Sequence, residues 1–274
     1  VELTREGFPV LDGLRPFLAG VRCLLSWRDH LAQPAEHFPA TDPLTVEKWR
    51  QRLAGGDTLD EYESACLLAD FELPVVAMHK ADNEADLLAA AEQLGYPVAL
   101  KTAQPGILHK TDCQGVMLDI GKPEDLRAAY SEMSQRLGPL VLLSPMVKRD
   151  GVEMVLGLVH DEQFGPLVML GFGGINIETL QDVACALPPF NRATARRLLD
   201  KLQLRALLNA QRDRPALAID AFCAAAERFS ILASELTGTV GEIDINPVFV
   251  LPDGCLAVDA LVVGRVPNPS DNPG

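Results

Sequence analysis

The chain has 274 residues, 48% hydrophobic and 23% charged, which suits one large soluble domain or two small ones with ample core. Its 38 acidic residues outnumber 24 Lys and Arg, for a net charge of −14, and this excludes a general electrostatic footprint for nucleic acid or anionic lipid. An anionic ligand must therefore be met by a local cluster of cations and backbone N–H groups. The six cysteines (Cys23, Cys66, Cys113, Cys185, Cys223 and Cys255) form no C-x-x-C pair, which argues against a zinc site and a disulfide framework and for a cytoplasmic setting. No apolar run reaches membrane-span length and no signal-peptide pattern opens the chain. It starts at Val1 in mid-pattern, as expected of an excised piece of something longer.

Residues 1–30 read as the end of another domain: an extended entry, REGFPVL, then an amphipathic helix, LRPFLAGVRCLLSWRDHL, with Leu14, Phe17, Leu18, Val21, Leu24 and Leu25 on one stripe. Three prolines mark 31–44 as a linker. A short helix, TVEKWRQRLA, follows with Thr45 as cap and Gly55-Gly56 as stop. Thr58 and Glu61 then form a capping box for the helix LDEYESACLLAD. Next come a strand PVVAM, a helix from Asp82 to Leu94 stopped by Gly95, and a strand VALKTA.

That strand ends in Lys101 and leads into a Gly- and Pro-marked loop carrying His109 and Lys110, closed by a second strand, VMLDI. A cation at a strand end beside an imidazole suits phosphoryl transfer, because ammonium offsets phosphate charge and neutral imidazole can attack phosphorus. A lone loop histidine is more commonly just solvated. The helix PEDLRAAYSEMSQRL follows, with Pro123 in its first turn, then strands LVLLSPMV, GVEMVLGLVH and FGPLVML, with Asp161 opening the turn between the last two. Beyond the GFGG bend lie strand-like NIETLQDVACAL, a helix RATARRLLDKL capped by Asn191, and the longest helix, from Pro215 to Leu236.

The closing hairpin, GEIDINPVFVL-PDG-CLAVDALVV, alternates Glu242, Asp244 and Asn246 with Ile243 and Ile245, so its polar groups share a face. Any half-solvated strand could read this way. Asp259, however, stands in an otherwise apolar strand, where a carboxylate is costly unless paired or metal-bound. Counted outwards from the Pro-Asp-Gly turn, it falls opposite 244–246, so these oxygens could converge on a hard cation such as Mg2+. There is no Walker G-x-x-x-x-G-K-[ST], which excludes an ordinary P-loop NTPase.

Four segments together carry a family resemblance. They are Val98 to Lys101 with Ile107 to Asp112, Gly115 and Val116; EYESACLLADFELPV; GVEMVLGLVHDEQFGPLVMLGFGGINIE; and Glu242, Asp244, Asn246 and Pro247 with Ala257 to Ala260. These resemble the ATP-grasp half of the NDP-forming acyl-CoA synthetases. The resemblance implies an α+β ATP-grasp fold over 45–265, in which two α/β subdomains clamp a nucleotide. Residues 1–30, with Gly7, Pro9, Val10 and Trp27, are then the remnant of a preceding CoA-ligase domain, and 266–274 a tail. The implied site has His109 as phosphoryl carrier, with Lys101, Met146, Val147, Glu153, Gly173 and Gly174 on the nucleotide. Asn246 and Asp259 hold Mg2+, and Asp244 stands behind them. The implied cofactors are ATP/ADP and Mg2+, with CoA bound by CoA-binding and CoA-ligase domains on a longer chain or an alpha subunit. Neither nucleic acid nor membrane is a partner, and a homo-oligomer stays open.

Three departures stand out against the family pattern: Leu143-Ser144-Pro145-Met146-Val147 at the hinge, Gln114 and Glu72 where glycine is usual, and NAQRDR, which keeps only Arg212 of a G-x-R-G segment. They keep a second reading alive, a regulatory module of a fused protein acetyltransferase. A carboxylate–amine ligase of the same fold ranks last, having no need of the His109 loop.

Overall fold

The computed structural model describes residues 5–6, 13–32, 37–107, 113–147, 150–161, 163–174, 182–210 and 215–266. These fall into two compact units, 1–37 and 38–274. In the first, helix α1 (Leu14–Leu31) has the expected bounds and follows Gly13, whose φ of 93° only glycine adopts readily. Leu14, Phe17, Leu18, Leu24, Leu25 and Trp27 are exposed on it. Gly7, Pro9 and Val10 lie outside the described residues.

The second unit opens with α2 (Pro43–Leu53), capped by Asp42 rather than Thr45; the Asp42 carboxylate accepts from the Leu44 N–H, and Pro43 takes the first position, where no donor is needed. Val46, Trp49 and Leu53 recur at helical spacing and are buried. Helix α2 thus starts earlier than its sequence suggests, whereas α3 (Glu61–Asp70) starts later. The capping box is Asp60 with Glu63: the Glu63 N–H donates to Asp60 at 2.8 Å and the Asp60 N–H to Glu63 at 3.4 Å. Thr58 instead bridges to Val263. The shift leaves the Glu61 side chain outside the cap.

A four-stranded antiparallel sheet follows, built from β1 (His79–Ala81), β2 (Val98–Thr102), β3 (Val116–Ile120) and β4 (Val141–Pro145) in the order β1-β4-β2-β3. The expected strand PVVAM does not form. Pro74 has no N–H to give a ladder, Val75 makes only an isolated parallel bridge to Ala257, whose carbonyl takes the Val76 N–H, and the ladder begins at His79. Helix α4 (Glu84–Leu94), capped by Asn83 rather than starting at Asp82, and α5 (Pro123–Leu137) cover one face of the sheet. Leu87, Leu100, Leu126, Met133 and Leu143 make that core. Residues alternate along a strand, so Ala99 and Lys101 point away from it.

The larger lobe is a six-stranded antiparallel sheet comprising β5 (Val152–Asp161), β6 (Gly165–Phe172), β7 (Val183–Ala186), β8 (Val240–Val250), β9 (Cys255–Ala257) and β10 (Ala260–Gly264), in the order β10-β8-β5-β6-β7 with β9 also on β8. Two helices, α6 (Arg192–Leu199, capped by Asn191) and α7 (Ile219–Glu235), close its core with Met154, Leu170, Phe172, Phe222 and Phe229. Helix α7 is shorter than expected because Leu217 and Ala218 donate to Leu208 and Leu251 instead of entering the helix. At 17 residues it is also one residue shorter than α1. The segment 176–181 of the predicted strand before β7 lies outside the described residues.

The last predicted strand is two. Opposite it stands Pro247, which cannot donate, and Val258 and Asp259 fall between β9 and β10; Val258 donates to the Pro247 carbonyl and Asn246 to that of Asp259. Asp259 therefore sits at a break rather than inside a strand, which lowers the cost of its carboxylate.

Candidate nucleotide site

Between the helix-free face of the small sheet and the β8–β10 end of the large one lies a cavity of about 1150 Å³. Lys101 enters it from β2 with 13% of its side chain exposed. Its ammonium lies 2.5 Å from Glu61 Oε1 and 3.7 Å from Asp259 Oδ2. Burial alone would lower its pKa, but Asp259 and Glu61 outweigh that and hold it above the ordinary value, so Lys101 is a cation at neutral pH. Glu61 projects from the first turn of α3 with 6% exposure.

Strand β8 alternates as its sequence implies: Ile243 and Ile245 are buried while Glu242, Asp244 and Asn246 are exposed. Asp244 and Asn246 line the cavity together with Asp259. Partial desolvation by the cavity walls, reinforced by Glu242 and Asp259, pushes the Asp244 carboxyl above its usual range. Oxygen donors crowded by like charge are what a hard cation such as Mg2+ relieves, so these residues fit that ion. Among the described residues no cluster of three or more His, Cys, Asp or Glu could hold a metal, so an ion here relies on the Asn246 amide as well.

Glu153 lines the same cavity from β5, and its carbonyl accepts from the Gly173 N–H at 2.7 Å. Gly174 has φ +65°, which favours glycine, and a Cβ there would stand 2.8 Å from Glu153 Oε2, so a larger residue would push that flexible side chain aside. Met146 and Val147 line the cavity after β4. The Met146 N–H is already given to the Pro97 carbonyl at 2.9 Å, and Pro145 offers none.

His109, with Lys110 and Asp112, lies outside the described residues, as does Arg212. The roots of the His109 segment are described. Thr102 donates to Gly115 at 2.7 Å, and the Arg136 guanidinium donates to the Cys113 and Gln114 carbonyls. Gln114 adopts φ 53° and Glu72 φ 62°, both in the left-handed region that glycine enters most readily. Glu61 was not among the expected site residues. Its one signal is a carboxylate in the resembling EYE string, and only folding places it on Lys101.

The ATP-grasp domain family matches over residues 51–263. The beta subunit of ADP-forming acetate–CoA ligase II of Pyrococcus furiosus is 35% identical over 222 residues, covering 77% of this chain and 94% of that protein. The match to ADP-forming acetate–CoA ligase I of Archaeoglobus fulgidus is 31% identical over 218 residues, with 77% of this chain but only 32% of that protein covered. Among solved structures, a dinucleotide-forming acetyl-coenzyme A synthetase 1 of Ca. Korarchaeum cryptofilum superposes with a TM-score of 0.70 at 30% identity, over 81% of this chain and 98% of that one. It contains coenzyme A and Mg-AMPPCP, with its phosphohistidine segment pointing towards the nucleotide binding site.

Proposed function

This chain belongs to the ATP-grasp family, and we propose that it is the nucleotide-binding, phosphoryl-transferring part of an NDP-forming acyl-CoA synthetase, which runs acyl-CoA + ADP + phosphate ⇌ carboxylic acid + CoA + ATP. The observation that carries this reading is the convergence of buried Lys101 with Asp244, Asn246 and Asp259 in one cavity. In the ATP-forming direction, a neutral His109 nitrogen attacks the phosphorus of an acyl phosphate made elsewhere. The P–O bond to the acid breaks and a P–N bond forms. A terminal oxygen of ADP then attacks that phosphorus, the P–N bond breaks and the imidazole is released. Lys101 offsets charge on the phosphate oxygens throughout. Glu153 and the backbone at Gly173 and Gly174 bound the nucleotide on the large lobe, and Met146 and Val147 on the small one. Mg2+ held by Asn246 and Asp259, with Asp244 behind, supplies further charge compensation when bound.

The relatives named as beta subunits work with a partner subunit, and the corresponding partner here is a set of CoA-binding and CoA-ligase domains in the cytoplasm. Among the described residues no helix is long and apolar enough to cross a membrane. Residues 1–30 are assigned as the end of a CoA-ligase domain, supported by the exposed apolar stripe of α1, with 31–44 as linker, 45–265 as the ATP-grasp domain and 266–274 as tail.

The test uses the protein with its CoA-binding partner and labelled ATP. Acid-labile, base-stable label should appear on this chain and be lost in His109→Ala, with Mg-ADP affinity nearly unchanged. Turnover of acid, CoA and ATP by His109→Ala at close to the parental rate would sink the phosphohistidine assignment.

A further inference from the structure

The described residues lining the cavity carry five carboxylates, Asp60, Glu61, Glu153, Asp244 and Asp259, against two ammonium groups, Lys80 and Lys101. The more buried ammonium already has a counter-charge: Glu61 meets Lys101 at 2.5 Å with only 6% of its own side chain exposed. Asp259 stands farther off, at 3.7 Å, with 49% exposure. A nucleotide without a metal would have to share Lys101 with Glu61 and approach the carboxylates of Asp244 and Asp259. A nucleotide that brings a divalent cation supplies charge to Asp244, Asn246 and Asp259, while Lys101 keeps its contact with Glu61.

We propose that Glu61 is a specificity-determining residue: by offsetting part of the Lys101 charge it leaves too little for metal-free nucleotide and enough for a phosphate of the metal-bound form. The inference rests on the nucleotide-binding reading above. Glu61 is suited to the task because the capping of α3 is done by Asp60 and Glu63, leaving its own carboxylate to Lys101. Glu63 offers an internal control: it is an acid two residues away in the same helical turn, paired with Arg52 and absent from the cavity lining.

The experiment is calorimetric titration of the whole chain with ADP, once in excess Mg2+ and once in EDTA, and the quantity read is the ratio of the two affinities. Glu61→Gln should strengthen metal-free binding by about tenfold, the order expected for removing one unit charge at a few ångströms in a partly screened site, while Mg-ADP affinity changes less. The ratio should fall accordingly. Glu63→Gln should lower the melting temperature and leave the ratio alone, and Glu61→Asp, which keeps the charge, should stay near the parent. Glu61→Gln leaves the buried ammonium only the more distant Asp259 and could fail to fold. In that event the double replacement of Glu61→Gln with Lys101→Met, which removes the pair together, should leave metal-free affinity close to the parent, and a fall of about tenfold or more overturns the proposal. An unchanged ratio in Glu61→Gln, or an equal change in Glu63→Gln, overturns the proposal while leaving the nucleotide reading intact. A parental chain that binds neither form of ADP overturns both.

Discussion

Two neighbouring acids at the start of α3 each meet a lysine of the small sheet, and the two pairs differ in almost every physical respect. Asp60 reaches Lys80 at 2.8 Å with side-chain exposures of 45% and 31%, while Glu61 reaches Lys101 at 2.5 Å with 6% and 13%. Asp60 also spends an oxygen on the Glu63 N–H, so it holds the helix together. An exposed pair of this kind is screened by water and contributes little. The buried pair has lost its hydration and depends on its partner, so breaking it is costly even though forming it gains little. Both pairs cross from the large lobe to the small one. Burial, rather than proximity in sequence, separates the structural pair from the one placed to govern charge in the cavity.

The sharpest way to break this comparison is to remove each lysine. Lys101→Met leaves Glu61 buried without its ammonium and should cost about 3–5 kcal/mol in denaturant unfolding, together with most of the Mg-nucleotide affinity. Lys80→Met should cost no more than about 1 kcal/mol. Equal costs would show that the two pairs are energetically alike. A smaller effect is expected at Asp259, the more exposed partner of Lys101. Asp259→Asn should weaken Mg-dependent nucleotide binding by about tenfold or more and metal-free binding far less, since it removes charge from a cation site. Equal losses in the two conditions would make Asp259 structural.

The smallest effect concerns pH. Burial opposes ionisation of Asp60, but the Lys80 hydrogen bond and the Glu63 and Tyr62 N–H groups outweigh it, and its carboxyl is held below the usual value. A lowered folded pKa means stability present above the unfolded carboxylate value, near about 3.9, and lost as pH falls through the folded one. Asp60→Asn should therefore flatten the acid side of the stability curve below pH about 4 and leave its slope from about 5 to 8 unchanged. A changed slope near neutrality would count against this account.

The features legible from sequence are those set by short-range periodicity. The alternation in β8 was readable because side chains of a strand change face at every residue, and the Pro-Asp-Gly turn fixed which residues oppose one another, which is why Asp259 falls beside Asn246. The bounds of α1 and α5 followed from apolar spacing and, for α5, a proline in the first turn. Caps were less legible. Thr58, Asp60 and Thr45 all suit the role chemically, and only the local backbone path decides which side chain reaches an open N–H. Element ends failed for a similar reason. Val76 bonds to Ala257 and Ala218 to Leu251, so residues that could have extended a regular element are claimed by distant partners.

The chain by itself determined the kinds of groups available: a lysine at the end of an apolar strand, a His-Lys pair after it, and oxygen donors alternating with isoleucines near the C-terminus. These are properties of residue type and spacing, which no tertiary contact is needed to read. What only the tertiary structure decided is which charges meet. Glu61 and Lys101 lie 40 residues apart, and Lys101 and Asp259 are brought together from different lobes. Their pairing depends on the registers of two sheets and on the cap that frees Glu61. The strength of that pairing depends on how much water the folded cavity excludes, a quantity set by the packing of both lobes at once.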